Sequence, residues 1–118
     1  MQQTPGPQFL VVSRGLGGWT VVSVEGEIDI YTVPELCDCL DRVLNEGCYN
    51  IVIDLSRVSF MDASGISAIS RYYKKASQNN GEVKLVGVSS RVKRILGLAK
   101  RLSVIRLYRT LEEAIEPQ

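Results

Sequence analysis

The residues with the clearest capacity for chemistry lie in the run Asp62-Ala63-Ser64-Gly65. A serine hydroxyl can accept a phosphoryl group, which adds about −1.5 to −2 charges and three acceptor oxygens near neutral pH. Apolar residues recur at helical spacing from about Ala63, so Ser64 would lie in the first turn of a helix. Free N–H groups and the positive end of the helix dipole favour an anion there. The run therefore predicts a loop that could receive a phosphate on Ser64.

The same run also has a purely structural interpretation. Asp62 or Ser64 could serve only as the N-cap of the helix, and Gly65 could serve only to let two helices approach each other. Four residues by themselves do not decide between the two interpretations, so the rest of the chain must supply the context.

The composition excludes several kinds of catalysis, because the 118 residues include no histidine. The absence of histidine excludes Ser-His-Asp and Cys-His mechanisms, histidine bases and histidine-containing metal sites. A small enzyme with Ser64 as nucleophile would also lack a lysine within the motif. We therefore predict that the chain is not an enzyme, with no catalytic residue and no cofactor.

The three cysteines form a sparse, odd-numbered set that does not resemble the disulfide framework of a secreted domain. Cys37 and Cys39 are two residues apart on a predicted helix, where their side chains do not face each other. They make a poor pair of metal ligands, and Cys48 adds no usable partner. We predict reduced, half-buried thiols and no metal site.

Net charge and apolar runs limit the partners and the location. Fourteen Lys+Arg against 13 Asp+Glu leave a net charge of +1, which gives no support for direct nucleic-acid or anionic-membrane binding. Residues 1–7 lack the basic and apolar regions of a signal peptide, and no apolar run approaches the roughly 18 residues that cross a bilayer. A cytoplasmic protein without membrane contact is expected.

Charge is nevertheless uneven along the chain. Residues 25–62 contain nine acids and two bases, and the acids include Asp29 and Asp62. Residues 91–109 contain seven bases and no acid, but lack interleaved aromatic residues apart from Tyr108 and match no nucleic-acid-binding motif. We interpret the basic run as a solvated helix face and expect the acidic region to suit a basic partner surface.

Hydrophobic periodicity and turn residues divide the chain into strands and helices that must position these side chains. The predicted strands are residues 9–13, 19–24, 51–55 and 83–86, with an edge strand at 104–108; the predicted helices open at Thr32, about Ala63, Ser89 or Ser90, and Thr110. Thr32 and Thr110 each begin a Thr-x-x-Glu capping box. Residues 56–61 are predicted to be a short loop, so that Asp62 follows the carboxyl end of a central strand, where open α/β sheets place their sites.

The order of these elements predicts the fold class. Strands separated by helices must run parallel with right-handed crossovers, whereas the first two strands form a hairpin around a glycine-rich turn. The sequence therefore predicts a single α/β domain at residues 9–118, after a flexible tail at residues 1–8. Its mixed sheet has four to five strands, mostly parallel with the first antiparallel, and about four helices.

Several segments taken together resemble a known family, the STAS domains, and specifically the phosphorylatable anti-sigma factor antagonists. The resemblance covers roughly residues 9–116. The segments that carry it are Gly26-Glu-Ile-Asp29, Thr32-Val-Pro-Glu-Leu36, Ile51-Val-Ile-Asp-Leu-Ser56, Phe60-Met-Asp-Ala-Ser-Gly65, Leu96-Gly-Leu98 and Thr110-Leu-Glu-Glu-Ala114. The expected domain is thus a STAS domain.

The resemblance implies a function and assigns it to residues. Ser64 would be phosphorylated by an anti-sigma factor that is a serine kinase, and a phosphoserine phosphatase would remove the phosphate. The unphosphorylated antagonist would bind the anti-sigma factor and release a sigma factor for transcription. Asp29, Asp62, Ala63, Ser64 and Gly65 are the implied partner-binding residues. Many phosphorylatable members have serine where this chain has Ala63, so Ser64 is the only hydroxyl in the motif.

A different role within the same fold stays open from the sequence. The domain could be a constitutive scaffold or an accessory subunit of a stress-signalling or transporter complex, and that role would need no phosphate. Incubation with ATP and a candidate kinase would separate the two. The sequence also leaves dimerisation open and does not identify the sigma factor.

Overall fold

The computed structural model describes residues 8–97 and 102–116, in which five strands form one mixed sheet. The strands, adjacent in chain order, are β1 (Leu10–Leu16), β2 (Trp19–Ile28), β3 (Asn50–Met61), β4 (Glu82–Val86) and β5 (Leu107–Tyr108). β1 is antiparallel to β2, and the other neighbouring pairs are parallel. The predicted α/β class, the antiparallel first strand and the central position of β3 are confirmed.

The helices that the structure describes connect or follow the parallel strands. They are α1 (Val33–Asn45), α2 (Ala63–Gln78), α3 (Ser90–Gly97) and α4 (Leu111–Ile115). Apolar side chains of α1, α2 and α3 pack with alternate residues of β2, β3 and β4 in the main core. Ile51, Ile53 and Leu55 of β3 point into this core and are fully buried. The central strand that the sequence predicts is therefore packed on this face by apolar side chains of the helices.

A smaller core covers the opposite face of the sheet beneath α4. Val21, Val52 and Val86 contribute one residue from each of three strands, and Ala114 contributes the helix. Lys84 of β4 lies here with only 2% of its surface exposed. Its Nζ donates to the Ala114 carbonyl oxygen at 2.7 Å and lies 4.3 Å from the centre of the Trp19 ring. The ammonium therefore ties α4 to the sheet through a carbonyl dipole and an aromatic face.

The predicted strand bounds differ from those of the structure, most clearly at two places. Residues 56–61, predicted as a loop, continue β3 and pair with the end of β2 through register shifts near Gly26. Gly26 has a φ of +111°, and an added Cβ would lie 2.8 Å from the Gln8 carbonyl oxygen, so this position favours glycine. The predicted edge strand at 104–108 is reduced to Leu107–Tyr108, because residues 102–105 form turns instead.

All four helices that the structure describes begin where the sequence predicts, and three of them have a side-chain cap. The side-chain oxygens of Asp62, Ser89 and Thr110 accept N–H groups at the starts of α2, α3 and α4. Thr32 precedes α1 but its side chain caps nothing, so the predicted capping box there is wrong. Predictions on residues 1–7 of the tail, Leu98, Lys100 and Arg101 lie outside the described residues.

Candidate functional site

Asp29 and Asp62 lie side by side at one edge of the sheet. They follow Ile28 of β2 and Met61 of β3, which are paired partners in the parallel register. The Asp62 N–H donates to the Ile28 carbonyl oxygen at 3.1 Å, which closes the ladder at that edge. This is the carboxyl end of both strands, so the structure brings together the two acids that the sequence places 33 positions apart.

Ser64 is held by Asp62 at the start of α2. Asp62 Oδ1 accepts the Ser64 N–H at 2.9 Å and also accepts the Ser64 hydroxyl. Asp62 is therefore the N-cap, as one of the two sequence interpretations expected. Both side chains are half-buried and Ala63 is exposed. The Ser64 hydroxyl thus has a defined orientation and lies beside a surface that a partner can reach.

Gly65 fixes how closely α2 approaches the sheet. A Cβ at this position would lie 2.5 Å from Met61 Cγ and 2.8 Å from Ile28 Cγ2, and both of those side chains are fully buried. The predicted close approach is real, but its partners are the ends of β2 and β3 and not a second helix. Gly65 therefore sets the position of Ser64 relative to Asp29.

Asp29 organises the turn between β2 and α1. Its Oδ1 accepts the N–H groups of Tyr31 at 2.9 Å and Thr32 at 3.1 Å. The Thr32 hydroxyl donates back to the Glu27 carbonyl oxygen at 2.8 Å and accepts the Asp29 N–H at 2.9 Å. The Asp29 carboxylate therefore fixes the conformation of residues 29–32.

The turn at residues 29–32 carries two apolar side chains that the sequence analysis did not identify. Ile30 and Tyr31 are 63% and 85% exposed. They stand between β2 and α1 and belong to neither element, so no helical or strand periodicity assigns them a face. Their position in the short run between Asp29 and Thr32 is the only signal that the sequence offers.

The edge around Ser64 is acidic. Glu27 precedes the turn, Asp29 begins it and Asp62 caps α2. Glu35 lies in the first turn of α1, where it lines a surface cavity with Val11 and Arg42. In the part of the chain that the structure describes, the ion pairs involve Glu25, Asp41, Glu82 and Glu113 and none of these four carboxylates. The site therefore presents negative charge that no cation of the described chain neutralises by direct contact.

The described residues show no alternative chemical centre. No cluster of three or more Cys, Asp or Glu side chains there could hold a metal ion. Cys37, Cys39 and Cys48 are free thiols, and Cys37 Sγ accepts from Arg71 at 3.1 Å on the surface between α1 and α2. No helix within residues 8–97 and 102–116 is long and apolar enough to cross a membrane.

The sequence of the chain is similar to those of known proteins. The family model for the STAS domain matches residues 11–114. An anti-sigma-B factor antagonist of Staphylococcus aureus is 39% identical over 74 residues, covering 63% of this chain and 68% of that protein.

Solved structures agree with the family match. The crystal structure of an anti-sigma factor antagonist from Mycobacterium paratuberculosis superposes with a TM-score of 0.84 and 28% identity, covering 96% of each chain. The Bacillus cell fate determinant SpoIIAA in its phosphorylated form shares the fold at a TM-score of 0.72 and 22% identity, covering 92% of this chain and 96% of that chain. The chain belongs to the STAS domain family.

Proposed function

We propose that this protein is a non-enzymatic anti-sigma factor antagonist of the cytoplasm, switched at Ser64. Unphosphorylated, it binds an anti-sigma factor that is also a serine kinase and thereby releases a sigma factor for transcription. Phosphorylation of Ser64 by that kinase ends the interaction, and a phosphoserine phosphatase restores it. The partner surface comprises Asp29, Asp62, Ala63, Ser64 and Gly65. The proposal needs no cofactor and no direct contact with nucleic acid or membrane.

The observation that carries the proposal is the position of Ser64. Its hydroxyl lies at the first turn of α2, half-buried and oriented by Asp62, at an edge shared with Asp29. The Staphylococcus relative is named an anti-sigma-B factor antagonist, and one structural neighbour is described in a phosphorylated form. These names support the antagonist role and the use of a phosphate, and Ser64 supplies the hydroxyl for it.

The physical effect of a phosphate at Ser64 divides into a local and an interfacial part. At the start of α2 the added charge is favoured by roughly 0.3–1 kcal/mol through the helix dipole, so the modified domain should stay folded. In a docked, partly desolvated interface the same dianion lies beside Asp29 and Asp62, and a surface that had accommodated two carboxylates would have to accommodate about four negative charges. Binding would therefore weaken without unfolding.

Phosphate mapping tests the assignment to Ser64. The chain is incubated with ATP and purified anti-sigma factor kinases of its source organism, and the modified residue is located by tandem mass spectrometry. We expect one phosphate on Ser64 and none in Ser64→Ala. Ser67→Ala, one helical turn further along α2 on an exposed position, is the matched control and should be modified like the wild type.

The alternative roles give different results in this experiment. Phosphate on Ser67 or on the buried Ser70 with Ser64 unmodified would reassign the switch. Stable partner binding with no phosphate taken up in the presence of any of the kinases would indicate the constitutive scaffold or accessory subunit instead.

A further inference from the structure

The turn between β2 and α1 holds two large apolar side chains in solvent. Ile30 is 63% exposed and Tyr31 is 85% exposed, the latter being the most exposed large hydrophobic residue that the structure describes. The backbone beneath them is fixed, since Asp29 Oδ1 accepts from the Tyr31 and Thr32 N–H groups. Thr32 in turn bonds the Glu27 carbonyl oxygen. The two side chains are therefore presented by an ordered turn.

This turn is continuous with the Ser64 site. Asp29 begins the turn and follows Ile28, whose carbonyl oxygen accepts the N–H of Asp62, the residue that caps α2 and orients Ser64. A partner that covers Ser64 and the exposed Ala63 therefore reaches the adjoining turn across two neighbouring strand ends. Exposed aromatic and large aliphatic side chains on an ordered backbone lose little backbone entropy on docking, and tyrosine is enriched among residues that dominate binding energy.

We propose that Ile30 and Tyr31 form the apolar anchor of the surface that docks the anti-sigma factor. This inference rests on the proposed function and names residues of the interface beyond the Ser64 motif. Glu27 precedes the anchor turn, Asp29 begins it, and Asp62 bonds the neighbouring strand end. These three carboxylates have no ion-pair partner in the described ranges. The complementary partner surface is an apolar pocket bordered by lysine or arginine side chains.

The charge around the anchor favours the anti-sigma factor over two other binding partners, a second copy of the chain and an anionic membrane. A second copy of the chain meeting the turn across a two-fold axis would bring the same three carboxylates against themselves, which like-charge repulsion opposes. An anionic membrane surface would be repelled by the same groups. A basic protein surface meets no such penalty.

The anchor and the phosphate site have separable effects on affinity. The anchor contributes by burial of apolar surface, whereas phosphorylation acts through charge at Ser64. Loss of the anchor should therefore weaken binding of the unmodified chain and leave phosphate transfer to Ser64 chemically possible at high kinase concentration.

The test uses the anti-sigma factor that binds the unmodified chain and measures the dissociation constant by isothermal titration or surface plasmon resonance. The anchor variant is Ile30→Thr with Tyr31→Ser. The matched control is Val12→Thr with Val104→Ser, because Val12 and Val104 are 62% and 60% exposed. Val12 lies within β1 opposite Ser23, away from the strand ends, and Val104 precedes β5.

We expect the anchor variant to bind roughly 30-fold or more weakly, the scale of a hot-spot residue, and the control to bind like the wild type. Both should keep the wild-type melting temperature, since all four side chains are exposed. Wild-type affinity in the folded anchor variant, or equal weakening in the control, would overturn the anchor while leaving the Ser64 switch intact. If the unmodified wild-type chain binds no anti-sigma factor at all, it is the proposed function that fails.

Discussion

A single oxygen of Asp62 performs two tasks at the start of α2. Oδ1 accepts both the Ser64 N–H and the Ser64 hydroxyl, so it caps the helix and orients the group proposed to carry phosphate. The N-cap was predictable, because an aspartate before a helical apolar pattern satisfies free N–H groups. The role of Asp29 was less predictable, because its hydrogen bonds to Tyr31 and Thr32 depend on a turn that has no periodic sequence pattern.

Gly65→Ala tests whether close packing fixes the Ser64 helix. The new Cβ would lie within 3 Å of Met61 and Ile28, both buried, so the helix start or these side chains must shift. We expect the free energy of unfolding to fall by about 1–3 kcal/mol, the usual cost of overpacking. Urea denaturation followed by circular dichroism measures this change.

Gly97→Ala is the matched control for that experiment. Gly97 ends α3, and an added Cβ would meet no atom within 4 Å. Its free energy of unfolding should be unchanged or raised by up to about 1 kcal/mol, the helix preference of alanine over glycine. Equal stability of the Gly65 and Gly97 variants would show that the approach of α2 to the sheet is not tight.

At the level of elements, the start of α1 shows why a sequence motif can mislead. Thr32 and Glu35 match a capping box, but the Thr32 hydroxyl bonds back to the Glu27 carbonyl oxygen and the Asp29 N–H. The local motif competes with a turn that Asp29 stabilises, and the turn prevails. Similarly, residues 56–61 are predicted from the sequence as a loop, whereas pairing with the end of β2 extends β3 to Met61.

The contact between α1 and α2 depends on Tyr72, which is 1% exposed. Its hydroxyl donates to Asp41 Oδ1 at 2.7 Å. Burial, together with this hydrogen bond, raises the pKa of Tyr72 above its usual range. Tyr72→Phe removes the hydrogen bond and should lower the free energy of unfolding at pH 7 by about 1–2 kcal/mol, as measured by urea denaturation.

The pH dependence of that difference has a defined sign. The folded protein keeps Tyr72 protonated, whereas in the unfolded chain the phenol ionises near its usual pKa of about 10. The advantage of wild type over Tyr72→Phe is therefore complete below about pH 10 and decreases as the pH rises above it. Tyr31→Phe changes a side chain that is 85% exposed, so its free energy of unfolding should match that of the wild type at pH 7 and at about pH 11. A constant difference between wild type and Tyr72→Phe up to about pH 11 would contradict the pKa shift.

For the whole molecule, the order of elements was sufficient to predict the architecture. Helices between successive strands require parallel neighbours, and the glycine turn before Trp19 requires an antiparallel first pair. The second core was not predictable, because it includes Lys84, and lysine is a residue type that usually lies on the surface. Its burial depends on Trp19, Tyr108 and the Ala114 carbonyl, which meet only after the chain folds.

Residues 25–62 are rich in acids, but only some of these acids come together at the Ser64 edge. Glu25 and Asp41 pair with Arg57 and Lys75, whereas Asp29 and Asp62 meet at the Ser64 edge. The proposed switch uses only this second pair. The charge of one phosphate is therefore large relative to the local charge that a partner already accommodates.

The most direct test of the switch compares partner affinity of the two states of one chain. Protein phosphorylated on Ser64 and unmodified protein are titrated against the same anti-sigma factor, with circular dichroism to verify that both are folded. We expect binding to weaken about a hundredfold on phosphorylation, with the fold unchanged. Ser64→Ala should bind like unmodified protein in the presence of ATP, and Ser64→Glu should bind weakly. Undiminished affinity in fully Ser64-phosphorylated, folded protein would contradict the proposed switch.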